Sequence, residues 1–386
     1  MTAHGSRLAA IVVAAAGLFG GLVWAAVVNA PAHAAAPTAA GPIAADFATF
    51  DAGLGGEVAT KLGCTAKHWR QIAPSVYHLA TRHAAALGVM TEADRLAALV
   101  GLAEFIDGKR KAAAATPVLA DGRTVIGLLD PAQGLGPREI TAIADAYGCD
   151  STSYKKEAEE QTLDGVAAEF LSAITAAVGA GKPTSVAVLG HGLPTEIQSY
   201  SIRYERLADA MLDGAIRRPA TAAADGDKAV DLGHLVLVCD DCFSADFLVN
   251  LLSAIETRCR DRKLPLASLP ACVAGTNHGR VGFADVRGKF VPHFWKDVIE
   301  LYFIRRPRPQ QIVLRNIFEN VDHMMYGYGR VPVVEGATVK GWRLVDPAAV
   351  QDPVTFVPLD DAACAELRGI LGLPADAPLP RWLDVG

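Results

Sequence analysis

The sequence has little net charge. Its 36 Lys and Arg against 42 Asp and Glu leave −6 at pH 7. A mildly acidic chain offers no cationic surface to neutralise phosphates, so nothing in the electrostatics favours nucleic acid as a partner. Internal repeats of solenoid length are also missing, which excludes a repeat array. Metal-ligand spacing is missing too. His78 and His83 stand five apart rather than at the i, i+4 spacing that puts two ligands on one helical face, and with His68 they read as ordinary helix residues. Cys239, Cys242 and His234 find no fourth ligand, and on a strand the two cysteines would point to opposite faces. No metal ion and no organic cofactor is implied. The seven cysteines, Cys64, Cys149, Cys239, Cys242, Cys259, Cys272 and Cys364, are an odd number. Full pairing in an oxidising compartment would leave one thiol over; the alternative is that several are small buried hydrophobes.

What is present divides the chain. Leu8 to Val28 carries no charge, follows Arg7, and leads to Ala32-His33-Ala34, a small-residue cleavage pattern. Residues 1–34 therefore read as a secretory signal peptide, which predicts a periplasmic or secreted protein. The run also exceeds the roughly 20 apolar residues that cross a bilayer, so an uncleaved inner-membrane anchor is the alternative, and the one route to membrane contact. Residues 35–117 are predicted helical, with Ala, Leu and charged residues at helical spacing from about 45 to 115 and interruptions at Pro74 and Gly88. Asp107 to Lys111 reads as a solvated connector or a processing site.

Residues 118–305 alternate strand and helix. Strands are predicted at Thr124–Leu129, Ser151–Tyr154, Ser185–Leu189 and from Leu235; helices at Pro137–Tyr147, Leu163–Val178 behind a Thr162 cap, and Glu205–Gly214; and a mobile loop over Arg217–Asp231. Alternation of this kind argues for an α/β fold, a mainly parallel sheet with helices on both faces. Residues 306–386 read as a C-terminal extension packed on that domain, with a helix over Gln311–Met325.

Two strand ends carry chemistry. The apolar run Leu235–Cys239 stops at Asp240-Asp241-Cys242, and a helical pattern starts at Ala245, so Cys242 sits where strand becomes helix. Open α/β sheets bind ligands at the carboxyl ends of their strands, and a helix N-terminus favours a thiolate. Ser185–Leu189 runs into Gly190-His191-Gly192, where flanking glycines let backbone approach a substrate. One strand end offers a base and the other a thiol. Asp130, at the end of the first strand, either orients His191 by a hydrogen bond or is a turn residue.

The order of strand, Gly190-His191-Gly192, helix, strand and Asp240-Asp241-Cys242-Phe243-Ser244 resembles the caspase-like cysteine peptidases: caspases, metacaspases, legumains and gingipains. Leu269 to Thr276 is similar to the family's fifth strand, and Gly288-Lys289-Phe290 to its turn into the next helix, so the likeness spans about residues 123–304. The resemblance implies a three-layer sandwich following a helical N-terminal segment, and a cysteine endopeptidase acting on a peptide or protein substrate. In it Cys242 is the nucleophile, His191 the general base and later acid, the amides of Gly192 and Cys242 the oxyanion hole, and Asp240 a wall of the S1 pocket. An acid there predicts a basic P1 residue, with Asn second and Asp least favoured. Two positions depart from the pattern: Ala245 stands where many members have Gly, and Thr276 to Arg280 replace acids often found after the fifth strand. Two other readings remain: a thioredoxin-like oxidoreductase using Cys239 and Cys242 as a C-x-x-C pair, and a non-catalytic peptidase fold used for binding.

Overall fold

The computed structural model describes residues 43–44, 46–119, 122–131, 140, 149–218, 229–276, 312–313, 330–335, 338–344 and 354–385. The proposed signal peptide, most of the 137–147 helix, residues 219–228 and everything from Asn277 to Gln311 lie outside them.

Seven strands form the central sheet: Thr124–Leu129 (β1), Ser151–Tyr154 (β2), Thr184–Leu189 (β3), Leu235–Asp240 (β4), Ala271–Ala274 (β5), Val354–Pro358 (β6) and Trp382–Val385 (β7). Their order is β7-β6-β5-β4-β3-β1-β2. The first five run parallel, while β6 lies antiparallel to β5 and β7 antiparallel to β6. The covering helices are Ala66–Arg82 (α1), Glu92–Ala113 (α2), Leu163–Ala180 (α3), Tyr204–Arg217 (α4), Ser244–Asp261 (α5) and Asp361–Ile370 (α6).

Side-chain alternation divides each strand between two cores. Ala187, Leu189, Val236, Val238 and Val273 pack with α1, α2 and α6; Val186, Val188, Leu235, Leu237, Cys239 and Cys272 pack with α3, α4 and α5. Burial on both faces is why these strands read as unbroken apolar runs. Each such Val or Leu contributes roughly 1.5–3 kcal/mol relative to an exposed one. The result is an α/β protein with a mainly parallel sheet between two helical layers, as the alternation predicts.

The helix starts follow from local chemistry. Thr65, Thr91 and Thr162 each accept a hydrogen bond from the amide three residues on, capping α1, α2 and α3. Gly181, at φ +65°, turns the chain from α3 toward β3. Pro74 was expected to interrupt its helix, yet α1 runs through it. A proline inside a helix costs about 3 kcal/mol, and the buried face of Trp69, Ile72, Val76 and Leu79 offsets it. Two helical histidines tie elements together: His68 pairs with Asp107 of α2 at 2.8 Å, and His78 with Asp384 of β7 at 2.5 Å.

Several expectations need correction. Residues 107–111 are not a connector but the last turns of α2, where Asp107 pairs with Lys111 at 2.6 Å. The predicted 311–325 helix falls mostly outside the described residues, and Ile312–Val313 is a strand, antiparallel to Pro117–Leu119. The 306–386 segment is more than an extension: β6 and β7 are strands of the sheet and α6 joins its core. The physical reason is the outer side of β5, whose backbone donors and acceptors need a partner when buried. All seven cysteines are free thiols, four of them buried. The hairpin of Arg330–Glu335 with Thr338–Leu344, bulged between Val333 and Val334, belongs to a separate compact unit.

At the amino ends of the strands a buried guanidinium holds the sheet. Arg123 donates through Nε to Ser185 Oγ (3.1 Å) and through Nη2 to the carbonyls of Thr184 (2.8 Å) and His234 (3.1 Å).

Candidate active site

Strand order reverses between β1 and β3, and in open α/β sheets the crevice beyond the carboxyl ends at such a point is where ligands bind. The candidate residues come from the next pair along, β3 and β4, at the same carboxyl end of the sheet. Leu189 pairs with Asp240 in register, and the Gly190 amide donates to the Asp240 carbonyl at 3.3 Å, carrying the ladder one residue further. On the other side of β4 the Gly275 amide donates to the Cys239 carbonyl at 2.8 Å. Beyond these bonds the chains turn away.

The turn bearing His191 is held by its backbone. The His191 amide donates to Asp130 Oδ2 at 3.2 Å, and the Ser199 hydroxyl donates to the same oxygen. The His191 carbonyl accepts from the Gln198 amide at 2.9 Å. Asp130 thus fixes the histidine's main chain as well as closing its own strand. Glycine is needed on both flanks. A methyl on Gly190 would lie 2.7 Å from Asp130 Cβ, and one on Gly192 would lie 2.5 Å from the Asp241 carboxyl carbon and 2.8 Å from the Cys242 carbonyl oxygen. This close approach seats the histidine turn directly on the cysteine turn. A second tie comes from α5, where Asn250 Nδ2 donates to the Pro194 carbonyl at 2.8 Å.

Cys242 lies in the turn between β4 and α5, and both it and His191 are half-buried. Phe243, the residue that caps α5, has φ +58°. A left-handed conformation costs a non-glycine residue about 1–2 kcal/mol, and here it turns the chain out of the sheet with the thiol left at the start of a long helix, where the macrodipole favours the thiolate. Ser244 and Thr276, both buried, bind this turn to the end of β5: the Ser244 amide donates to Thr276 Oγ1 at 3.0 Å and the Thr276 amide to Ser244 Oγ at 2.9 Å.

No protein family, curated protein or solved structure matches this chain.

Its three acids differ. Asp130 is engaged as described. Asp240 is buried, and its carboxyl fills the space where a side chain on Gly275 would collide with Oδ1. Asp241 is 4% exposed, and its Oδ1 is buried without a hydrogen-bond partner. Burial first, and then the neighbouring Asp240, push its pKa well above the ordinary carboxylate range. The two thiols differ as sharply. Cys239 is 0% exposed inside the α3–α4–α5 core, and burial raises its pKa well above that of a free thiol, with Asp241, Cys272 and Asp240 adding to the effect. A thiol held that way is a poor nucleophile.

Of the residues singled out from sequence, His191, Gly192, Asp240 and Cys242 all fall at this one end of the sheet. His278, Arg280 and His293 lie outside the described residues. Among the described residues no three His, Cys, Asp or Glu side chains are grouped to hold a metal ion. Sequence reasoning missed Ser199, Asn250 and the bonding of Thr276; these act across the fold, and only Thr276 had drawn notice, as a departure from a pattern.

Proposed function

We propose that the protein is a cysteine endopeptidase of the caspase-like kind, with Cys242 as nucleophile and His191 as general base. One observation carries this reading: Gly192 packs against Asp241 and Cys242, so the imidazole-bearing turn and the thiol-bearing turn share one corner at the carboxyl ends of adjacent parallel strands. Their seven-stranded setting with helices on both faces supports the same fold.

The chemistry then runs in order. His191 takes the proton of the Cys242 thiol, and the thiolate attacks the scissile carbonyl. The oxygen gains negative charge in the tetrahedral intermediate and is held by the amides of Gly192 and Cys242; one such donor contributes about 3 kcal/mol. As the carbon–nitrogen bond breaks, His191 returns its proton to the leaving amine and a thioester remains. Water, deprotonated by His191, then attacks the thioester, releasing the carboxylic acid and the thiol.

The buried Asp240 carboxyl between the ends of β4 and β5 supports a basic P1 residue, Arg pairing with it in bidentate fashion. Residues 1–34 act as the export signal. The oxidoreductase reading is weakened by the burial of Cys239, because disulfide exchange needs both thiols within reach of a partner. A non-catalytic role predicts no covalent chemistry at Cys242.

A peptidyl electrophile directed at thiol peptidases tests the assignment. Mass spectrometry is expected to place the label on Cys242 alone, and His191→Ala to abolish it. Labelling of Cys239 at a similar rate, together with insulin reduction that fails equally in Cys239→Ala and Cys242→Ala, would favour the oxidoreductase. A panel of otherwise identical fluorogenic peptides with Arg, Lys, Asn or Asp at P1 tests the specificity, and fastest turnover of the Asp peptide overturns it.

A further inference from the structure

The cysteine turn and the end of β5 are joined by hydrogen bonds whose proton directions can be worked out. Thr276 is 0% exposed. Its Oγ1 lies 2.9 Å from the Asp241 carbonyl oxygen, 3.0 Å from Ser244 Oγ, and accepts the Ser244 amide at 3.0 Å. The Thr276 carbonyl accepts the Ala245 amide at 3.1 Å. A carbonyl oxygen can only accept, so the Thr276 hydroxyl proton points at Asp241. That leaves Thr276 Oγ1 as acceptor toward Ser244. The Ser244 hydroxyl then has two acceptors on Thr276, Oγ1 at 3.0 Å and the carbonyl at 3.4 Å, while its own oxygen accepts the Thr276 amide at 2.9 Å. By the shorter contact the chain runs from the Ser244 hydroxyl to the Thr276 hydroxyl to the Asp241 carbonyl.

That carbonyl belongs to the peptide bond whose N–H is Cys242's. A hydrogen bond accepted by an amide oxygen draws charge from the amide nitrogen and makes its N–H a stronger donor, and successive bonds polarise one another. We propose that Thr276 is a positioning residue for the oxyanion hole: through the Asp241 carbonyl it orients and polarises the Cys242 amide, with Ser244 reinforcing it from behind. This rests on the peptidase reading and deepens it. It also gives a task to the position where the family resemblance had led to an expectation of acids.

The role predicts an effect in the transition state and little in substrate binding or in the thiol itself. Full loss of an oxyanion donor costs about 100- to 1000-fold in kcat. Thr276→Val weakens a donor rather than removing it, so kcat is expected to fall about tenfold with KM within about twofold. Inhibition by a peptide aldehyde, whose adduct places an oxygen in the hole, is expected to weaken in parallel. Alkylation of Cys242 by a haloacetamide requires the thiolate but no oxyanion, so its rate is expected to hold. Thr276→Ser is expected to restore both kcat and aldehyde affinity, and Ser244→Ala, a gentler change, to lower both a few-fold.

Wild-type kcat in Thr276→Val, or no rescue by Ser, overturns the proposal. So does alkylation that falls in step with kcat, since that is the mark of a collapsed turn. If Thr276→Val does not fold, Ser244→Ala decides by the same two readouts. Should the wild-type protein take the haloacetamide at Cys242 yet cleave no peptide and bind no aldehyde, the peptidase reading itself fails, and this inference with it.

Discussion

At the amino ends of β1, β3 and β4, Arg123 is buried and bonded to the Ser185 hydroxyl and two carbonyls. At the carboxyl ends of the same strands, Asp130, Asp240 and Asp241 crowd around a thiol and an imidazole-bearing turn, a phenylalanine sits at φ +58°, and one buried carboxyl oxygen has no partner. Both ends are polar and each keeps buried polar atoms without partners, the ring nitrogens of His234 at one and a carboxyl oxygen of Asp241 at the other. They differ in that the buried charge at the amino end is bonded into the sheet, whereas the carboxyl end adds a strained backbone and gathers acids beside a thiol, the kind of arrangement found where function is.

The contrast breaks if substitutions at the two ends have the same kind of effect. The largest divergence is expected from Cys242→Ala and His191→Ala, which should each lower kcat/KM by about 10⁴-fold or more with an unchanged urea midpoint. Arg123→Met should do the reverse, costing about 3 kcal/mol of stability by orphaning buried acceptors while kcat stays within a few-fold. Cys239→Ala, in the core beside the site, should keep substantial activity. Kinetics and urea unfolding on one set of preparations decide it.

A pair of glycines gives the next test. In Gly192→Ala the added methyl meets Asp241 and the Cys242 carbonyl, and displacing a catalytic turn by about 1 Å costs roughly 100-fold in rate. Gly181→Ala, at φ +65° near the other end, should cost about 1–2 kcal/mol of stability and no activity. A Gly192→Ala enzyme with normal turnover would mean that the two turns do not work as one. Smaller again is Asp240→Asn, expected to reduce the preference for Arg over a neutral P1 residue of similar length by about a hundredfold. Indifference of the peptide panel to that change removes Asp240 from the pocket.

The smallest effect concerns Asp241. Its folded pKa lies above the unfolded value because of burial and Asp240, so the native chain keeps a proton that the unfolded chain releases. Stability then falls as pH rises from the ordinary carboxylate range toward the folded pKa. Asp241→Asn removes this dependence. Its melting temperature should vary less than the wild type's as pH rises above the ordinary carboxylate range of about 4. A wild-type protein that gains stability relative to the variant as pH rises from there contradicts the raised pKa of Asp241.

Much of the sheet was legible because doubly buried strands leave a plain signature. Thr124–Leu129 has the bounds read from the sequence, and β3 and β4 differ by a residue or so; Ser151–Tyr154 was also bounded correctly although it is a partly exposed edge strand with a weaker pattern. Cys242 and His191 stood out because chemistry follows immediately on an apolar run. The remainder depends on contacts that sequence spacing does not encode. Ile312–Val313 sits in an apolar run that fits helix or strand equally, and a partner from the far side of the chain decides it. Thr276 and Ser244 are ordinary residues until β5 lies beside the cysteine turn. Pro74 argued for a break because propensity is local, whereas the helix's buried face is not. Asp130 was expected to act on a ring or a turn, and its bond to the His191 amide depends on two strands meeting in register.

The placement of β6 also sets a timetable. Residues of β5 take their outer neighbour, Val354 to Phe356, from far down the chain, and Thr276 follows β5 directly. During synthesis, the cysteine and histidine turns are made long before the strand that flanks β5 exists. Long-range pairings of this sort form late and slowly. The strand that carries Thr276 thus gains its outer neighbour only when residues 354–358 arrive, and on the proposed peptidase reading a chain still being made would carry its nucleophile beside an unfinished sheet edge.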